Sequence, residues 1–118
     1  MTRQISISGY WRAYNDDFEE RSHRISVTTT PSEGGGGQIK IAPGSTDISI
    51  MPRGLTKATA VLIMPDQDIN VMLTGVHNAS FDVLANGVFA IGNASLSDVQ
   101  VSNRNATPTA NVFSDITG

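Results

Sequence analysis

The side chains that could do chemistry are few and poorly arranged for it. Asp16, Asp17, Glu19 and Glu20 crowd four carboxylates into five positions. Acid–base work needs two carboxylates whose surroundings drive their pKa values apart. These four sit beside Arg21 and Arg24 in a polar turn, which reads as a solvated loop. Asp66 and Asp68 offer hard oxygen ligands for calcium, but the loop lacks the glycine and the terminal glutamate of an EF-hand, and Pro65 to Asp68 reads as a turn. His23 and His77 are the only histidines and stand in no ligand spacing. Cysteine is absent, which excludes a disulfide framework and a thiolate zinc site. No serine lies in a Gly-x-Ser-x-Gly elbow. The four glycines at 34–37 are not followed by Lys-Ser/Thr or by a helical pattern, so they read as a flexible hairpin tip that could order against a neighbour, not as a phosphate loop. The expectation is a non-enzymatic chain without catalytic, cofactor-binding or metal-binding residues.

Binding residues are easier to find. Tyr10, Arg12 and Tyr14 alternate along one strand face and could contact a protein partner or a glycan, because Tyr and Arg are enriched where binding energy concentrates. Three tripeptides, Asn78-Ala79-Ser80, Asn93-Ala94-Ser95 and Asn105-Ala106-Thr107, formally match glycosylation acceptors. No secretory stretch follows Met1-Thr2-Arg3-Gln4, so they are expected to act as turns between strands.

The elements that must carry these residues have the period of strands. Between residues 59 and 91 the apolar side chains fall two apart: Val61 and Ile63, then Ile69, Val71 and Leu73, then Phe81 and Val83, then Phe89 and Ile91. A five-residue loop, 64–68, would make a hairpin with Ile63 opposite Ile69 and Val61 opposite Val71. The other face of that hairpin, with Ala58, Ala60, Leu62 and Met72, is too apolar for water. It needs cover from this chain or from a neighbouring subunit, which makes Ala58, Ala60, Leu62, Met64 and Met72 candidate interface residues. Asn86-Gly87 is the strongest local hairpin signal and is expected to join 81–84 to 88–91. Before this region, Ile5, Ile7, Trp11 and Ala13 form one face of a long strand with a possible bend at Gly9. Ile25 and Val27, then Ile39 and Ile41, then Ile48 and Ile50 continue the pattern. After it come Val99 and Val101, then Val112, Phe113 and Ile116. Turn residues recur at about ten-residue intervals, and no segment has a 3.6-residue period. The fold class expected is all-β: a single β-sandwich, jelly-roll or Greek-key like, of eight to ten short and mostly antiparallel strands over residues 1–118.

Composition supports that class. One domain is expected of 118 residues. Charged residues make up 16%, below the roughly 25% of ordinary globular chains. A net charge of −3 with only two lysines argues against nucleic acid as a partner, and no apolar run is long enough to span a membrane as a helix.

The stretches 69–75, 81–92, 96–103 and 111–118 together resemble the small all-β virion proteins of tailed bacteriophages, the capsid decoration or cement subunits and the tail or fibre modules. The resemblance covers about the C-terminal half and carries no catalytic or binding motif. It implies a structural protein working in multiple copies, whose partners are itself and other virion proteins. It also implies synthesis in the host cytoplasm without a signal peptide and residence in the virion. The alternative is a carbohydrate-binding β-sandwich module of a tail fibre or lectin-like protein, contacting glycan through Tyr10, Arg12 and Tyr14, with calcium at Asp66 and Asp68.

Overall fold

Alternating apolar residues can be satisfied only if each strand turns one face to a common layer, and the structure is built on that arrangement. The computed structural model describes residues 5–14, 20–29 and 34–118. All regular elements among them are strands: β1 (Ile5–Tyr14), β2 (Glu20–Thr29), β3 (Gly34–Ile41), β4 (Ile48–Ser49), β5 (Ala60–Pro65), β6 (Ile69–Gly75), β7 (Ala79–Val83), β8 (Phe89–Ile91), β9 (Leu96–Ser102) and β10 (Ala110–Thr117).

The strands β1 and β2 form an antiparallel ribbon. Its register runs unbroken from Ile5–Thr29 to Tyr14–Glu20, so the expected bend at Gly9 does not interrupt pairing. The other eight strands form two antiparallel sheets, in the orders β3-β10-β5-β8 and β4-β9-β6-β7. The two sheets share one apolar core. Val61, Ile63, Val112 and Ile116 come from the first sheet and Val71, Leu73, Val99 and Val101 from the second. Most of these side chains are fully buried.

The strand β10 holds the first sheet together, hydrogen-bonded to β3 on one side and β5 on the other. Its inward positions, Ala110, Val112, Ser114 and Ile116, are all buried, whereas Phe113 between them is 39% exposed. That is the alternation of a strand with one face on the core.

Two expected hairpins are instead crossings between the sheets. The strands β5 and β6 do not pair. Ile63 lies beside Ser114 and Phe89, and Ile69 lies beside Val83. Period-two alternation places both residues on the core face but does not distinguish a hairpin neighbour from a residue across the core. Asn86-Gly87 likewise links β7 of the second sheet to β8 of the first. Asn86 has φ 64° and the Gly87 amide donates to the Leu84 carbonyl at 2.8 Å, the pattern of a turn with its third residue left-handed. A type I′ hairpin would need both central residues at positive φ. A Cβ on Gly87 would meet the Leu84 oxygen at 2.8 Å, so close approach explains the glycine.

The glycines 34–37 are not a hairpin tip. They form the first half of β3 and pair with Ser114 to Thr117. A Cβ at Gly36 would lie 2.7 Å from the Ser114 oxygen, and Gly37 has φ 151°. Both positions admit glycine alone, which is why a strand could hide in a sequence that looks like a linker.

The assignment of faces makes a direct prediction. Ile63→Ala removes a fully buried side chain and should cost about 2–5 kcal/mol in urea unfolding. Met64→Ala, one residue on but 41% exposed, should cost under about 1 kcal/mol. Equal losses would place β5 the wrong way round.

Candidate functional site

The outward face of the first sheet follows from its register. Met64 of β5 lies beside Phe113 of β10, which lies beside Gln38 of β3. One step along, Leu62 lies between Asp115 and Ala90. Met64 and Phe113 are 41% and 39% exposed, and Leu62 is half-buried. At the far end of this face Ala60 and Thr117 are buried. A cavity of about 270 Å³ there is lined by Ala60, Leu62, Ala90, Asp115 and Thr117 together with Ser6 and Ser8 of β1.

The structure divides the residues expected to form one contact surface. Leu62 and Met64 lie on the outward face of the first sheet. Met72 lies on the outward face of the second, half-buried between Ser80 and Gln100. Ala58 and Ala60 are 0% and 3% exposed, so this chain already covers them. Ala58 is taken up by paired backbone hydrogen bonds with Leu96. The shared apolar face expected for Ala58, Ala60, Leu62 and Met72 does not exist, because the two strands that carry it belong to different sheets. Met64 and Leu62 remain as surface residues, joined by Phe113.

Tyr10, Arg12 and Tyr14 occupy alternate positions of β1, opposite Arg24, Ser22 and Glu20 in the ribbon. Their side chains lie outside the described part of the structure, as do those of Trp11, Glu20 and His23. Asp16, Asp17 and Glu19 lie outside the described residues altogether. His77 is exposed.

Asp66 and Asp68 tie loops together at one end of the two sheets. The Asp66 carboxylate accepts from the Asn111 amide at 2.7 Å and from Asn111 Nδ2 at 2.8 Å. These bonds, the side-chain one first, hold its pKa below the usual carboxylate value. Asp68 Oδ1 accepts from the Ala85 amide at 2.8 Å, fixing the β7–β8 crossing. The two carboxylates therefore serve separate loops, as the turn reading expects. Among the described residues no group of three or more His, Asp or Glu side chains is placed to hold a metal.

Beside Asp68, a cleft of about 290 Å³ is lined by Asp68, Asn70, Asp82, Leu84, Arg104 and Asn105. Asn70 Nδ2 donates to Ser80 Oγ at 2.9 Å and to Asp82 Oδ1 at 3.1 Å. Asn105 Nδ2 donates to the Asp68 carbonyl at 3.0 Å.

Asn103 is a structural residue that the sequence does not announce. It is fully buried. Its Nδ2 donates to the carbonyls of Ile41 and Pro108, and its Oδ1 accepts from the Asn105 backbone amide and side chain. The three Asn-Ala-Ser/Thr sites do turn the chain. Asn93 has φ 52°, Asn78 Oδ1 accepts from the Gly75 amide, and Asn105 bonds back to Asn103.

The fold and this surface define an all-β domain of two antiparallel sheets on one core with an exposed apolar cross-strand pair. Compared with known protein families, with characterised proteins and with solved structures, the chain has no match.

A group whose pKa is lowered by folding contributes stability above its unfolded pKa and loses it as pH falls through the folded value. Asp66→Ala should therefore lower the melting temperature above about pH 5, with the gap from the parent protein closing as the pH is taken below about 4. A gap that persists unchanged into acid would remove the carboxylate's role at this junction.

Proposed function

We propose that this chain is a non-enzymatic structural subunit of a tailed-bacteriophage virion, assembling in multiple copies as a capsid decoration or cement protein or as a tail or neck component. The observation that carries the reading is strand order. Counting the eight strands from β3, the sheets run 1-8-3-6 and 2-7-4-5. We read this as a jelly roll, two interleaved Greek keys, an architecture used by viral capsid and lectin domains. The resemblance of the C-terminal half to small virion proteins points the same way.

The outward face of the first sheet supports assembly. Met64 and Phe113 stand side by side with Leu62 next to them. Each is 39–41% exposed or half-buried, so covering it would contribute about 1 kcal/mol. One such face is weak alone, but a particle or tube repeats it many times.

The native protein should have a mass in solution of at least twice 12.5 kDa, or should sediment with phage particles. Leu62→Asp sets a carboxylate beside Asp115 and should abolish that association. Met64→Asp, at a more exposed position, should weaken it without disturbing the fold. A monomer at all concentrations that sediments with no particle would overturn the reading.

The cleft between Asp68, Asn70, Asp82, Arg104 and Asn105 favours a second reading, a carbohydrate-binding module. Carboxylates, amides and a guanidinium beside the exposed Leu84 suit the hydroxyls and apolar face of a sugar. Tyr10, Arg12 and Tyr14 are the separate glycan contacts expected from the sequence. Silence on a glycan array with and without calcium would remove it.

A further inference from the structure

The two long sides of the domain are finished differently. On one side the edge strands are β7 and β8. There Phe81 of the second sheet and Phe89 of the first meet with ring centroids 5.6 Å apart and close the gap between the sheets. On the other side the edge strands are β3 and β4. The inward positions of β3 include Gly35 and Gly37, paired with Ile116 and Ser114. They have no side chains to fill the gap, and a notch of about 400 Å³ remains, lined among others by Gly35, Gly37, Ile39, Ile50 and Pro52.

The backbone edge is also open there. Of the four edge strands of the two four-stranded sheets, β4 has two residues, β8 three, β7 five and β3 eight. Among the described residues β3 pairs only with β10. An unpaired edge of this length is a template for another strand, and proteins usually blunt one with charge or proline. Here β3 contains no proline and one charge, Lys40.

We propose that β3 pairs antiparallel with β3 of a second copy of this chain, about a twofold axis through Gln38, joining two four-stranded sheets into one of eight. The inference rests on the assembly reading and adds a second contact to the outward face at Leu62, Met64 and Phe113. The occupant follows from the strand's own sequence. On one side of Gln38 lie Gly35, Gly36 and Gly37, and on the other Ile39, Lys40 and Ile41. Antiparallel pairing about Gln38 sets Ile39 opposite Gly37 of the other copy, Lys40 opposite Gly36 and Ile41 opposite Gly35. The side-chain half of each strand lies against the glycine half of its twin.

Directly opposed residues share a face, so the inward Ile39 of each copy points to the same side as the other's notch. Ile39 is half-buried as it stands, and in the pair it caps a gap that glycine leaves open. The two Lys40 side chains never oppose each other. Gln38 opposes itself, and its amide carries both donor and acceptor. An isologous twofold contact is the commonest solution for soluble oligomers.

The chain has no cysteine, so a single introduced thiol reports its own surroundings. Opposed residues of an antiparallel pair have Cα atoms about 4.5–5.5 Å apart, within disulfide range. Gln38→Cys should oxidise at low protein concentration to a disulfide-linked dimer. Ser97→Cys, exposed on β9, should not. Gly35→Val tests the notch. A Cβ there meets only Pro52, at ordinary distances of 3.5 and 3.7 Å, so the side chain has room and fills the notch that the partner's Ile39 would cap. It should weaken dimerisation at least tenfold in sedimentation. If the protein is oligomeric but Gln38→Cys cross-links no faster than Ser97→Cys and Gly35→Val changes nothing, edge pairing is overturned and assembly through another surface stands. If the parent protein is monomeric throughout, edge pairing falls, and the assembly reading falls with it only where the protein also sediments with no phage particle.

Discussion

The two sheets depend on a single apolar layer that neither can bury alone. Val61, Ile63, Val112 and Ile116 are at most 1% exposed only because Val71, Leu73, Val99 and Val101 lie on the same core from the other sheet. A sheet with one greasy face has no stable existence by itself. That requirement explains the connections. Between β3 and β10, every step from one strand to the next changes sheet except β6 to β7. Crossing after crossing brings consecutive apolar runs to opposite sides of the same layer, and the chain becomes stable only when both sheets are present.

Polar side chains make those crossings possible, because a connection passing the open end of two sheets loses ladder partners for its backbone. Asn103 is the clearest case, with four side-chain hydrogen bonds that join the end of β3 to the loop between β9 and β10. Asp66 does the same between the β5–β6 crossing and the start of β10, where the Asp66 amide also donates to the Asn111 carbonyl. Asp68 holds the β7–β8 crossing. Asp66, Asp68 and Asn103 each bond backbone groups of their own chain.

Period-two alternation was enough to show an all-β chain and to place nearly every core residue on the correct face. It could not show which strand lies beside which. Ile63 and Ile69 face one core whether their strands pair or cross, and only the sheet order separates the two cases. The same ambiguity merged Leu62 and Met72 into one imagined surface, although they lie on opposite outer faces. Glycine misled in the other direction. A run of four looks flexible, yet Gly36 and Gly37 lie in a ladder where the backbone geometry excludes any side chain. Asn103 carried no signal, since an asparagine before an arginine looks like any polar turn residue until the end of β3 is folded onto its loop. Among the candidate contact residues whose side chains are described, Leu62 and Met64 share an outward face, and Phe113 joins them through a register that no local pattern contains.

The distribution of open surface follows from the same constraint. A two-layer domain can close its ends with polar loops and its sides with large inward side chains from the edge strands. Phe81 and Phe89 do the second on one side. On the other side the inward positions of the edge strand include glycines at 35 and 37, and the layer is left unfinished beside the longest edge strand of the two four-stranded sheets. Filling that gap from within would have taken two β-branched residues at those positions, the commonest choice for a buried strand. Gly37 adopts a backbone conformation closed to them, but Gly35 has room for a Cβ. Glycine at 35 is therefore not required by the fold of one copy. Its absence of a side chain becomes useful once something outside the copy occupies the space, and the nearest source of a suitable side chain is the other half of the same strand.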